Sequence, residues 1–166
     1  DKQSNEFSFT RFLVPYLNDY EGHAIFMDCD MLVLDDIKKL WDLRNPFKAV
    51  QCVKHDYVPR DEIKYLGTTQ YKYPRKNWSS VMIFNCGHHH TKTLTPEYVN
   101  NASGLELHQF KWTEDDFIGA LPEDWNHLFS EYQPNLNAKL AHYTVGGPYF
   151  SEYANCEFSE AWFEER

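Results

Sequence analysis

Two aspartates separated by one residue, Asp28 and Asp30, are the side chains best suited to hold a divalent cation. They follow the apolar run AIFM, which predicts a buried strand, and precede a second apolar run, MLVL. In an extended segment residues i and i+2 point to the same side, so both carboxylates approach one ion while Cys29 faces the core. Oxygen ligands suit Mg²⁺ or Mn²⁺. An isolated D-x-D usually faces solvent, but the flanking apolar runs favour a metal site here.

Two other polar groups are weaker candidates for chemistry. The run His88-His89-His90 suggests a zinc site, but we expect consecutive side chains to diverge from a single ion, and no Cys or acid lies beside them at zinc-ligand spacing. A polar loop is the preferred interpretation. Ser79-Ser80 lacks the Gly-x-Ser-x-Gly setting of a hydrolase nucleophile.

Composition narrows the class of protein. A net charge of −9, with no Lys/Arg run longer than Lys38-Lys39, argues against nucleic acid and anionic membranes as partners. The apolar runs are too short for a transmembrane segment. The 42% apolar and 17% aromatic residues predict a packed globular protein. Four cysteines without a CxxC pair predict reduced thiols and a cytoplasmic location.

The elements that position these residues alternate between strands and helices, which predicts an α/β fold. Ligands of such sheets normally bind outside the carboxyl ends of the strands, where Asp28 and Asp30 fall if AIFM is a parallel strand. The segments expected as strands are AIFM, MLVL, FKAVQCV and SSVMIFNC. A first helix is expected over Ser8–Leu17, with Pro15 disturbing its last turn. Further helices are expected to begin after the N-cap acids Asp35-Asp36, at Thr95-Pro96-Glu97 and at TEDDFIGAL, and a last helix is expected in EFSEAWFEER. The segment LPEDWNHLF is expected to form a turn before a strand.

The segment FTRFLVPYLNDYEGHAIFMDCDMLVLDDIKKLWDL resembles the D-x-D region of glycogenin-like and bacterial lipopolysaccharide-type retaining glycosyltransferases of the GT-A fold. WSSVMIFNC is similar to that family's strand that contacts the donor, TEDD to its acidic segment and LPEDWN to its Leu-Pro-x-x-Trp-Asn. AHYTVGGP resembles its C-terminal His motif. The resemblance implies a GT-A mixed sheet flanked by helices, and transfer of a hexosyl unit from a nucleoside-diphosphate sugar to a hydroxyl acceptor, with retention of configuration.

The resemblance also implies roles for individual residues. Asp28, Asp30 and His142 are the expected metal ligands, and the imidazole favours Mn²⁺ over Mg²⁺. The donor, most simply a UDP-hexose, is expected to contact Arg11, Asp28, Ser80 and Asn85. Glu114 and Asp115 are expected as the catalytic acids near the reacting sugar; acids in the first turn of a helix are the alternative.

The sequence departs from the family after the His motif. A Lys usually stands there before Pro-Trp and neutralises the diphosphate, whereas Gly147 precedes Pro148 here. The backbone N–H groups of Gly146 and Gly147 are expected to cradle the phosphates instead. Alternatively, the positive charge comes from Lys139, Lys76 or Arg75.

Residues 1–166 are expected to form one GT-A catalytic domain that lacks the family's N-terminal strands, which bind uracil and ribose, and therefore to bind nucleotide weakly by itself. Two rival functions remain. A nucleotidyltransferase also pairs a sheet with metal-binding acids, but needs a Gly-rich basic loop that is not visible here. A non-catalytic carbohydrate-binding or scaffold domain would fit the aromatic content.

Overall fold

Two β-sheets form the framework of the structure, a computed structural model that describes residues 8–56 and 74–165. The first sheet has the strand order β1-β4-β3-β5 and the second β2-β7-β6. The strands β1 to β7 are His23–Met27, Met31–Val33, Val50–Cys52, Val81–Asn85, Ile118–Ala120, His127–Leu128 and Leu140–His142. The helices α1 to α5 are Val14–Leu17, Ile37–Trp41, Pro96–Asn101, Gly104–His108 and Ser159–Glu164. The sequence YVPRDEIKYLGTTQYKYPRKNW after β3, whose Pro, Gly and polar residues predict a long loop, lies mostly outside the described residues.

Strand directions are mixed in both sheets. β4 runs antiparallel to β1 and to β3, and β3 runs parallel to β5. In the second sheet, β7 is antiparallel to β2 and parallel to β6. This arrangement confirms the expected α/β class with a mixed sheet.

β1 differs from its expectation as a buried parallel strand. It pairs antiparallel with β4, and all five of its residues are half-buried. Within the described part of the chain, β1 has β4 as its one neighbour and therefore forms an edge of the sheet. An apolar run does not reveal how many neighbours a strand has, and the sequence-based interpretation failed for this reason.

β4 carries the core on both faces of the first sheet. Met82 and Phe84 belong to one buried cluster, and Val81 and Ile83 belong to a second. Because successive side chains of a strand point to opposite faces, the fully apolar run is explained by burial on both sides. A third cluster lies against the second sheet and includes Leu32, Ala141, Tyr143 and, from α5, Trp162.

Helix starts follow the predicted capping residues. Asp36 caps α2 by accepting the Lys38 N–H at 2.9 Å, and Thr95 caps α3 by accepting the Tyr98 N–H at 3.1 Å. Pro15 was expected to disturb a last turn but lies in the first turn of α1, after a 3-10 turn over Thr10–Leu13. A proline is tolerated there because the N–H it lacks would have no partner within the helix.

The segment TEDDFIGAL does not form the expected helix. It makes one 3-10 turn, Asp115–Phe117, and continues directly into β5. The Phe117 carbonyl accepts the Ala49 N–H at 2.9 Å, and Ile118 pairs with Val50 of β3. Pairing with β3 therefore overrides the local helix signal.

Candidate metal centre

Asp28, Asp30 and His142 meet at the junction of the two sheets. One ligand atom from each lies within 4.8 Å of the other two. Asp28 extends β1, and its N–H donates to the Ser80 carbonyl at 3.0 Å. Asp30 directly precedes β2, whose first residue, Met31, pairs with His142 of β7. The register of β2 on β7 therefore brings the imidazole to the two carboxylates.

The two aspartates converge through a bend rather than through an extended segment. Residues 28–30 carry the chain from the first sheet into the second, and Cys29 between them is exposed. The expectation that Cys29 faces the core is therefore wrong. It assumed a continuous strand, whereas β1 ends at Met27 and a new strand begins at Met31.

Arg11 holds Asp28 in place. Its Nη2 lies 2.8 Å from Asp28 Oδ1, and its Nη1 lies 3.3 Å from Oδ2. The same Nη1 donates to the Ser79 carbonyl at 2.9 Å, and the guanidinium lies over the Phe26 ring at 4.9 Å. Both ends of the fork are engaged and the side chain is only 11% exposed. Arg11 therefore positions Asp28, and the donor contact expected of Arg11 stays a prediction.

Burial and Arg11 act in opposite directions on Asp28. Burial raises the pKa of this carboxyl and is the larger effect, while the Arg11 guanidinium lowers that pKa. A buried carboxylate with one fixed cationic neighbour gains from a second positive charge. This is a suitable environment for a cation ligand.

A chain of hydrogen bonds fixes the orientation of the His142 ring. Ser80 Oγ donates to the Asn77 carbonyl at 2.6 Å and so accepts from Asn126 Nδ2 at 2.7 Å. The amide of Asn126 therefore presents Oδ1 to His142 Nδ1, 3.1 Å away. Because a carbonyl oxygen only accepts, His142 Nδ1 carries the proton. In the neutral ring, the lone pair is then on Nε2.

The lone pair of His142 faces a carboxylate. Nε2 lies 3.4 Å from Asp30 Oδ1, so two acceptors face each other unless a proton or a cation lies between them. Two carboxylates and one imidazole are a donor set that Mn²⁺ accepts readily and Mg²⁺ less so. The residues present therefore fit the expected ion.

Asn126 was missed as a functional residue. It is completely buried and touches both His142 and Ser80, which are distant from it in sequence. The similarity of LPEDWN to a family motif was the available signal, because this segment forms the 3-10 turn that delivers Asn126. Ser80 itself is buried within this network and supports the imidazole rather than facing a substrate.

Asn85 lies at the other end of the strand pair from the trio. In β4, Val81 is opposite Met27 whereas Asn85 is opposite His23, which places Asn85 about 13 Å further along the strand. Its Nδ2 donates to the Pro46 carbonyl at 3.0 Å. An antiparallel β4 therefore points Asn85 away from Asp28, and the donor contact expected of Asn85 stays a prediction.

Glu114 and Asp115 are not brought to the trio either. They precede β5, whose first residue Ile118 is level with Val50 and, across β4, with Ala24. β5 runs toward the strand ends next to Asp28, so Glu114 and Asp115, which precede β5, lie at the opposite ends of the strands. Asp115 is 79% exposed and pairs with Arg75 Nη2 at 2.6 Å. Asp115 therefore lies in a surface ion pair apart from the trio, and its catalytic role stays a prediction.

Gly146 and Gly147 serve aromatic packing in this conformation. Gly146 has φ +134°, and a Cβ there would lie 2.5 Å from Tyr153 Cε2. A Cβ on Gly147 would lie 2.5 Å from Tyr149 Cε1. The Gly146 N–H donates to the Tyr143 carbonyl at 3.0 Å and cannot also bind a phosphate. The expected phosphate cradle is therefore not formed at Gly146.

The alternative cationic groups are also engaged or buried. Arg75 pairs with Asp115 and donates to the Gln109 carbonyl at 2.7 Å. Lys139 Nζ lies 5.6 Å from the centre of the ring of Trp125. Lys76 is buried. Of the three cations, Lys139 contacts a residue, Trp125, that is next in sequence to the His142 partner Asn126.

Comparison with known proteins places this geometry in context. No protein-family profile matches the chain. Protein CDI of Arabidopsis thaliana is 49% identical over 168 residues, which cover 98% of this chain and 65% of that protein. The chain thus spans less than two thirds of the length of this curated relative.

Solved glycosyltransferases share the arrangement of strands and helices. The apo form of the bifunctional glycosyltransferase WbbM superimposes with a TM-score of 0.63 at 17% identity, over 99% of this chain and 38% of WbbM. An active-site mutant of LgtC gives 0.60 at 14% identity, over 95% of this chain and 65% of LgtC. Apo GlyE of Streptococcus pneumoniae TIGR4 gives 0.59 at 15% identity, over 98% and 43%. The chain therefore has the glycosyltransferase GT-A fold. Within residues 8–56 and 74–165, no helix combines the length and hydropathy that crossing a membrane requires.

Proposed function

We propose that the chain is the catalytic part of a metal-dependent glycosyltransferase. It transfers a hexosyl unit from a nucleoside-diphosphate sugar, most simply a UDP-hexose, to a hydroxyl of a carbohydrate or other acceptor. The observation that carries the proposal is the trio of Asp28, Asp30 and His142, with the imidazole lone pair directed at a carboxylate. The shared GT-A fold supports the reaction class, and the family resemblance supports retention of configuration.

Mn²⁺, or Mg²⁺, would be held at the junction of the two sheets by Asp28, Asp30 and His142. An ion held by these residues would supply Lewis-acid stabilisation of the negative charge on a diphosphate leaving group. A chain with a net charge of −9 otherwise repels a diphosphate, so such an ion is needed for donor binding. Arg11 keeps Asp28 oriented, and Asn126 keeps the lone pair of His142 directed at the ion.

Calorimetry with Mn²⁺, with and without UDP, tests the proposal. The wild type should bind Mn²⁺ more tightly when UDP is present, because UDP supplies phosphate ligands to the open positions of the ion. Asp30→Ala should lose this binding because it removes one of two carboxylates. Asp42→Ala is the matched control, since Asp42 is an exposed aspartate paired with Lys38 on α2, outside the metal centre.

The outcome also separates the proposal from its rivals. UDP-dependent Mn²⁺ binding that is lost only in Asp30→Ala supports the transferase, and release of UDP from UDP-hexoses then identifies the sugar. If neither the wild type nor Asp42→Ala binds Mn²⁺, either alone or with UDP, the metal centre is wrongly assigned. Sugar binding that is independent of Mn²⁺ and unchanged by Asp30→Ala would indicate a non-catalytic domain.

We also propose the cytosol as the compartment of this protein. Its four cysteines are free thiols, and Cys29 is exposed beside the metal centre. Such a thiol persists in a reducing compartment. A glycan on the exposed sequon Asn101-Ala102-Ser103 in protein isolated from its native cell would contradict this location.

A further inference from the structure

A second group of possible metal ligands lies in the turn after β4. His88, His89 and His90 each offer one ring nitrogen within 4.8 Å of the other two. The expectation that consecutive histidines diverge is therefore wrong. Tight hydrogen bonds curl the backbone: the His88 N–H donates to the Asn85 carbonyl and the Thr91 N–H to the His88 carbonyl, each at 3.1 Å. Divergence is a property of extended backbone, which this turn is not.

The three rings form one compact group against Phe117. Their centroids lie 4.3 Å apart for His88 and His89, 4.2 Å for His89 and His90, and 5.2 Å for His88 and His90. Phe117 contacts all three, with centroid distances from 4.8 to 5.8 Å. His89 is exposed, and the other two rings are half-buried. The group thus has one apolar wall and one open side.

We propose that His88, His89 and His90 form a second metal site, for a borderline divalent ion of the Zn²⁺ type, with one open coordination position. Neutral imidazoles are good ligands for Zn²⁺, Ni²⁺ and Cu²⁺, whereas Mg²⁺ and Mn²⁺ favour oxygen. Three histidines and an open fourth position are a known zinc arrangement. The ligand chemistry therefore differs from that of the Asp28, Asp30 and His142 centre.

Hydrogen bonds to the rings indicate how each would bind. His90 Nδ1 lies 2.7 Å from Thr113 Oγ1. When this nitrogen donates to the hydroxyl, the lone pair of His90 is on Nε2 and is available to an ion. His88 Nδ1 accepts the His90 N–H at 3.2 Å, and coordination by His88 replaces this long bond. Zn–N distances require nitrogens about 3.4 Å apart, so binding would draw together ring nitrogens that now lie within 4.8 Å of one another.

The proposed site is separate from the first metal centre. It follows Asn85, at the end of β4 that is level with His23, whereas Asp28 lies beyond Met27 at the other end. The two ends are about 13 Å apart along the strand, so the sites share no ligand. Occupancy of one can therefore be measured while the other is disabled.

Zinc calorimetry in the Asp30→Ala background isolates this site. The Asp30→Ala variant should bind one equivalent of Zn²⁺. Adding His89→Ala and His90→Ala should weaken this binding by more than about 100-fold, because losing a ligand costs more affinity than losing an outer-shell partner. Bound Co²⁺ should show the visible absorption of a low-coordinate nitrogen site in Asp30→Ala, but not in the variant that also carries His89→Ala and His90→Ala. Thermal unfolding in EDTA checks that both proteins are equally folded.

A matched pair at Thr113 tests the role of His90. Thr113→Val removes the hydroxyl that orients His90 and should weaken Zn²⁺ binding about 10-fold, whereas Thr113→Ser should retain it. Absence of Zn²⁺ binding in Asp30→Ala would overturn the proposal. So would binding that persists without His89 and His90. Neither result bears on UDP-dependent Mn²⁺ binding, so this site and the proposed transferase function can fail separately.

Discussion

Asn126 orients the imidazole of the proposed first metal centre although it is not itself a proposed ligand. It accepts a hydrogen bond from His142 Nδ1, and Ser80 fixes which end of the amide faces the ring. Without it, the neutral imidazole can place its proton on Nε2 and lose its affinity for an ion. Metal ligands are commonly oriented by such outer hydrogen bonds.

Asn126→Ala should therefore weaken UDP-dependent Mn²⁺ binding by about 10- to 100-fold. Ser80→Ala should weaken it less, because Asn126 Oδ1 still reaches His142 and only its orientation is released. Calorimetry measures both affinities, and thermal unfolding without metal shows whether either variant is misfolded. Wild-type affinity in a folded Asn126→Ala protein would contradict the role of this residue.

The sequence alone points to the three proposed ligands but not to the residues that support them. Asp28 and Asp30 are separated by one residue in the chain, and His142 lies in a segment that resembles a family motif. By contrast, the Asn126 amide acts through a contact between the turn before β6 and the end of β7, and Arg11 engages Asp28 from the turn before α1. Contacts between distant segments leave no local pattern. The ion pair of Asp115 could not be predicted for the same reason, since its partner Arg75 is 40 residues away.

At the scale of elements, capping residues were more informative than apolar runs. Asp36 and Thr95 start α2 and α3 where their side chains can accept a backbone N–H, which is a purely local requirement. The run AIFM revealed a strand but not its direction or its position at the edge of the described sheet. Strand direction depends on the path of the connections, which no short window of sequence contains.

The cap of α3 provides a direct test of this local control. Thr95→Ala should lower the free energy of unfolding by about 1 kcal/mol, because the Tyr98 N–H loses its acceptor. Thr95→Ser should stay close to wild type, since serine presents the same oxygen. Urea denaturation measures both values, and equal loss in the two variants would show that the threonine methyl, rather than the cap, is responsible.

At the scale of the whole molecule, two buried histidines link stability to pH. Burial is the main cause that lowers the pKa of His55 to about 3 and that of His108 to about 4. In the unfolded chain both titrate near the ordinary value of about 6.5. Between pH 6.5 and about 4, the unfolded state therefore binds more protons than the folded state. Asp28, whose pKa is raised by burial, partly opposes this effect at the acidic end.

We expect stability to be full above pH 6.5 and to fall as the pH decreases toward 4. Each histidine contributes a slope of up to about 1.4 kcal/mol per pH unit. His108→Gln should flatten this slope by removing one of the two groups. Urea denaturation in EDTA at several pH values provides the measurement. An unchanged slope in the variant would show that His108 is not the group that titrates.

The proposed ligands of the first metal centre are divided between the two sheets. Asp28 continues β1 and is bonded to Ser80 beside β4, while His142 belongs to β7 and Asp30 is bonded to Tyr143. Ion affinity is then coupled to the relative placement of the sheets, and thermodynamic reciprocity requires the ion to favour one placement in return. Any ligand or substitution that shifts one sheet against the other would change metal affinity without touching a ligand, so the ion would act as a reporter of the alignment of the two sheets.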